Sequence, residues 1–87
     1  MSLPIKIEIF KEGDVYVAIS PQLNVSSFGE TVEEARDSLK EAVAAFLEEC
    51  RAMGTLDEVL EEAGFSRKDE EWEPRRPVLE DRISLSL

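Results

Sequence analysis

Carboxylates are the only abundant side chains here that could do chemistry. The chain has 20 Asp and Glu against 10 Lys and Arg, a formal net charge of −10, one cysteine and no histidine. Without an imidazole there is no histidine-based triad and no histidine metal ligand. A single cysteine, Cys50, excludes a thiolate zinc cluster and an internal disulfide. It falls on the apolar stripe of a helical segment, where it reads as a small buried hydrophobe. Gly13, Gly29, Gly54 and Gly64 lie too far apart for a phosphate-cradling loop. A pair such as Glu8 and Asp14 could in principle hold Mg²⁺. Such a site needs converging oxygens, and these two lie at opposite ends of a strand and a turn. No catalytic, metal or cofactor-binding residues are therefore expected, and the chain reads as a binding protein.

The acids are unevenly placed. Between Glu30 and Ala63 stand eleven acids against Arg36, Lys40 and Arg51. That surface repels phosphate and disfavours DNA or RNA. It suits a basic partner, with Glu33, Glu34, Asp37 and Glu41 as the candidate contacts. The plainer alternative is a solvated helix face.

The positioning elements follow from periodicity. Ile5, Ile7 and Ile9 alternate with Lys6 and Glu8, predicting a strand near 4–10. Lys11-Glu12-Gly13-Asp14 is turn chemistry, and Val15, Val17 and Ile19 alternate in a second strand near 14–20. Pro21 ends it, and Asn24–Gly29 returns as a short third strand. Thr31 with Glu34 has capping-box spacing. It opens a helix near 31–52 whose stripe includes Val32, Ala35, Leu39, Val43 and Phe46, with Gly54 as its stop. Thr55 and Glu58 repeat the box before a shorter helix near 55–63. The charged, proline-punctuated stretch from Ser66 to Pro77 reads as an exposed loop, with Trp72 pinned to the domain. Ile83, Leu85 and Leu87 alternate with Ser84 and Ser86, predicting a last strand near 82–87.

If the isoleucines and valines face the helix, then Phe10, Tyr16, Ala18 and Phe28 point away from it. Phe10, Tyr16 and Phe28 are thus candidates for self-association. Burial under the Arg67–Pro77 loop is the open alternative. An unpaired strand edge at Asn24–Gly29 also favours a homo-oligomer, a dimer or tetramer. Eighty-seven residues suit one small domain, 1–87. No apolar run approaches the ~20 residues of a membrane span. The start, MSLPIKIEIF, has no basic n-region or cleavage site, so a cytoplasmic location is expected.

Several motifs then come in register. Pro21-Gln22-Leu23 forms a turn and Ser27-Phe28-Gly29-Glu30-Thr31 a step into the helix. Glu33-Glu34-Ala35 begins that helix and Phe46-Leu47-Glu48 lies near its end. Over about thirty-five residues this resembles the HicB-like antitoxin family. The resemblance implies an α+β fold, β-β-β-α-(α)-β, in which a small mixed sheet packs on one long helix like a trimmed ribonuclease H core. It also implies that the last strand lies parallel to the first and beside it. Members bind a small HicA-type mRNA-cleaving toxin and block it, and a separate DNA-binding module binds the operator. Here Phe28 stands where the family usually has a polar residue. No DNA-binding module is expected, which suggests a stand-alone member. The rival readings are a self-associating domain with some other protein-interaction role and, with less support, a nuclease of ribonuclease H shape.

Overall fold

The computed structural model describes residues 2–87. The fold is α+β, in the order β-β-β-α-α-β-β. Strands β1 (Glu8–Glu12) and β2 (Val15–Ser20) form an antiparallel hairpin about Gly13-Asp14, and β3 (Val25–Gly29) pairs antiparallel with the far side of β2. The sheet order is β1-β2-β3. Between β2 and β3, Pro21–Asn24 makes a tight turn closed by the Asn24 N–H donating to Ser20 O at 2.8 Å. Leu23 of this turn is buried in the core.

Helix α1 (Val32–Met53) follows directly. Its start is fixed as the capping spacing implies: the Glu34 N–H donates to Thr31 Oγ1 at 3.0 Å. Its end is a left-handed Gly54 at φ +75°. The Gly54 N–H donates to Arg51 O (3.1 Å) and the Thr55 N–H to Cys50 O (2.9 Å), satisfying carbonyls the helix leaves free. Ala35, Leu39, Val43 and Cys50 are its buried stripe. Phe46 is half-buried, and Val32, expected in that stripe, is 48% exposed in the first turn although it shares the helix face of Leu39 and Val43. Helix α2 (Leu56–Glu62) buries Leu60. Thr55 does not cap it; its hydroxyl instead donates back to Cys50 O at 3.3 Å.

The structure corrects the sequence reading in four places. The first strand begins at Glu8, not Pro4. Glu8 pairs with Ile19, so residues before it would face Ser20, the last residue of β2, and then Pro21, where the turn into β3 has begun. Second, the charged stretch is not all loop. It contains β4 (Phe65–Lys68) and β5 (Glu71–Pro74), an antiparallel hairpin turning at Asp69-Glu70. Phe65 and Trp72 point into the core, so Trp72 is pinned as expected. Third, the last strand does not form. Residues 75–87 have no strand structure, and Ile83 is 79% exposed. No strand joins β1 in parallel, so the three-stranded sheet is antiparallel throughout rather than mixed. A two-residue loop closes β4 on β5 at far lower entropic cost than closing the chain's end onto its beginning.

The fourth correction concerns the two faces of β2. In the register, Val17 stands opposite both Phe10 and Phe28, while Ala18 stands opposite Ile9 and Ser27. Ala18 is fully buried, and the Ser27 hydroxyl is hydrogen-bonded to that of Ser38 on α1. The helix-facing side therefore carries Tyr16, Ala18 and Ser20, and the outer side Val15, Val17 and Ile19. The isoleucines of the first segment do lie toward the helix. At the middle and end of β2 that side carries the small Ala18 and Ser20, both fully buried, where α1 approaches closely. Among the described residues, no helix is long and apolar enough to cross a membrane.

Candidate functional site

Glu33, Glu34, Asp37 and Glu41 are all exposed on α1. At about 100° per residue they fall within a single arc of roughly 100°, centred almost opposite the buried arc of Ala35, Leu39 and Val43. Glu48 extends the arc toward the helix end and is exposed, but it already pairs with Arg51 at 3.2 Å. Glu33 and Glu34 sit in the first turn, where the helix dipole favours negative charge. The like-charge spacing of Glu33, Asp37 and Glu41 at i, i+4 and i+8 is mildly unfavourable to the helix. Two features fix this face relative to the sheet. One is the hydrogen bond between the Ser27 hydroxyl on β3 and the Ser38 hydroxyl on α1. The other is Gly29, where a Cβ would lie 2.6 Å from Ala35 N, so strand and helix start are in backbone contact.

The second candidate surface divides. Phe10 and Phe28 flank Val17 on the outer side of the sheet and are 50% and 68% exposed. Tyr16 does not join them. It is on the helix-facing side, half-buried and packed against the core, because its place in the register is one residue from Val17. The Arg67–Pro77 stretch leaves the two phenylalanines exposed, since its hairpin turns Phe65 and Trp72 toward Leu60 instead. β3 is an edge strand, as expected, and so is β1.

Two further features were not legible in the residues. Leu3, Ile5 and Ile7 line one side of a groove of about 370 Å³ against Arg36, Leu39, Lys40 and Val43 of α1. The period-two isoleucines marked an apolar side, but their lack of a covering strand was visible only in the fold. On the small hairpin, the Arg67 guanidinium lies 6.0 Å from the centre of the Trp72 ring, its cross-strand partner, and pairs with Asp57 of α2 at 3.6 Å. The alternation Phe65-x-Arg67 and Trp72-x-Pro74 about Asp69 was the available signal, and its high charge masked it.

Among the described residues, no three His, Cys, Asp or Glu side chains converge as a metal site. Glu8 and Asp14 are both exposed, at opposite ends of the first hairpin. Cys50 is buried, in keeping with a packing role. Comparison with protein-family models, with curated proteins and with solved structures gave no match.

Proposed function

We propose that this chain is a non-catalytic protein-binding module, an antitoxin of the HicB-like type or a stand-alone relative, acting in the cytoplasm. Its partner on this reading is a small basic HicA-type mRNA-cleaving toxin, which it blocks by contact. The observation that carries the proposal is the exposed arc of Glu33, Glu34, Asp37 and Glu41 on a helix whose start lies against β3 at Gly29. Complementary charge of this kind raises association rate and selectivity more than affinity. The net charge of −10 argues against tight nucleic-acid binding at physiological salt. No cofactor enters the scheme.

The test is simultaneous charge reversal at Glu33, Glu34, Asp37 and Glu41. Exposed ion pairs are worth about 0–1 kcal/mol each. Four together should weaken the complex by roughly ten- to a hundredfold, with a shallower salt dependence and lost neutralisation in cells. Unchanged neutralisation and salt dependence would discard the acidic face. RNA cleavage by the purified protein, abolished by changing one carboxylate, would overturn the non-catalytic assignment.

A second reading is favoured by a specific observation, the exposed pair Phe10 and Phe28 about Val17. Exposed aromatics on one sheet face are suited to association, and a second copy of the chain is the partner proposed for this one. Sedimentation equilibrium at micromolar concentration should show an oligomer that Phe28→Ser weakens. An unaltered oligomer would remove this face from consideration.

A further inference from the structure

Five of the ten exposed large hydrophobic residues lie in one short segment: Val78, Leu79, Ile83, Leu85 and Leu87. The last three alternate with Ser84 and Ser86, so an extended chain carries all three on one side and serines on the other. The complementary feature is the groove beside α1. Leu3, Ile5 and Ile7 line it at the same two-residue spacing, and Leu39 and Val43 lie opposite them. Residues 3–7 have no ladder partner. One of their amides, that of Lys6, donates to Gln22 Oε1 at 3.0 Å. The adjoining β1 has its outer edge free.

We infer that Ile83–Leu87 of one copy adds as a strand to residues 3–9 of a second copy, seating Ile83, Leu85 and Leu87 in that copy's groove. Charge sets the docking position. Arg36 and Lys40 line the groove, one helical turn apart, and form no ion pair among the described residues. Glu80 and Asp81 precede the alternating segment, with Arg82 between them and Ile83. In an extended chain Asp81 shares the side of Ile83, Leu85 and Leu87, and Arg82 falls with the serines, so the carboxylate is the charge carried to the groove. Strand addition gives residues 3–7 and the free outer edge of Glu8-Ile9 a ladder partner, and the groove supplies the pockets for alternate side chains.

The occupant is a second copy because the segment leads away from its own body. The radius of gyration is 15.3 Å, against about 12 Å for a compact chain of this length. Pro74 and Pro77 stiffen the exit from β5, and the hairpin that precedes them is anchored through Leu60, Phe65 and Trp72. Exchange about a twofold axis fills two grooves at once, so each copy both gives and receives a segment.

The experiment uses the full chain carrying Phe10→Ser and Phe28→Ser, which silences the outer sheet face and separates this contact from the one above. Sedimentation equilibrium at micromolar concentration should show a dimer. Adding Ile83→Ser, Leu85→Ser and Leu87→Ser should raise the dissociation constant at least about a hundredfold. These side chains are exposed within one copy, so the helical signal of the monomer should persist. Arg36→Glu with Lys40→Glu should also dissociate the dimer, and Glu80→Lys with Asp81→Lys in the same chain should restore it. A monomeric parent would overturn the inference, as would a dimer indifferent to the three serines. So would a monomer whose unfolding midpoint falls with the serines, since that places the segment in its own groove. Charge reversal without rescue would overturn the pairing of Arg36 and Lys40 with Glu80 and Asp81.

Discussion

Replacing Gly29 by alanine sets two effects of known sign against each other. Gly29 lies in β3 opposite Tyr16, and its φ is not among the positive values. Backbone entropy alone would therefore favour alanine by about 0.5–1 kcal/mol. The added Cβ, however, would lie 2.6 Å from Ala35 N, 2.6 Å from Glu34 Cβ and 2.8 Å from Glu34 C. Ordinary contact begins about 1 Å further out, and two of these three atoms are backbone in the first turns of α1. Relief requires the helix start to lift by about that distance, since no rotamer change can provide it. Such a shift would stretch the 3.0 Å bond from Glu34 N to Thr31 Oγ1 beyond use, at about 1 kcal/mol. It would also loosen Ala35 and Leu39 from the sheet, and overpacking of this kind costs about 1–3 kcal/mol. The clash wins, and Gly29→Ala should destabilise by about 1–3 kcal/mol net. Urea unfolding followed by circular dichroism would show a lower midpoint, and the melting temperature should fall by about 5–20 °C. A variant as stable as the parent would refute the close approach of strand and helix. With it would go the argument for how the acidic arc is held.

The remaining predictions concern the core and the helix ends. Leu39 is 1% exposed, so Leu39→Ala should cost about 2–5 kcal/mol in the same urea assay; a loss under about 0.5 kcal/mol would mean the wrong helix face has been taken as buried. Thr31→Ala should cost about 1 kcal/mol through the lost cap, and Thr55→Ala clearly less, because Thr55 donates to Cys50 O and caps nothing; equal costs would contradict the assignment of caps. Trp72 is the chain's one tryptophan and is buried with Leu60 and Phe65. Its fluorescence should therefore change in the same unfolding transition as the helical signal, and an earlier fluorescence transition would show the small hairpin to be a separate, weaker unit.

How much of this was legible in the residues depends on whether a signal was local. The first hairpin, the Pro21–Asn24 turn, the Thr31 cap and the Gly54 stop are set by neighbours in sequence, and all were readable to within a few residues. So was the exposure of Glu33, Glu34, Asp37 and Glu41, since one helical period with Ala35, Leu39 and Val43 buried puts them outside. What failed was non-local. Alternation at Ile83–Leu87 establishes an amphipathic pattern but not its partner, and within one copy the segment pairs with no strand although the outer edge of β1 is free. The faces of β2 failed for a different reason. Hydrophobicity ranks Val15, Val17 and Ile19 above Tyr16, Ala18 and Ser20 as core residues, whereas close approach of α1 favours the small Ala18 and Ser20, and Tyr16 follows them to that side by strand alternation. Ala18 on the sheet and Ala35 on the helix are both fully buried, and Gly29 touches helix backbone. Where a helix start comes this close, the small side must face it, and the branched residues are turned outward beside Phe10 and Phe28. The apolar outer face is thus a consequence of the packing that fixes α1, and the same close approach that orders the acidic arc leaves Phe10 and Phe28 exposed on the other side of the sheet.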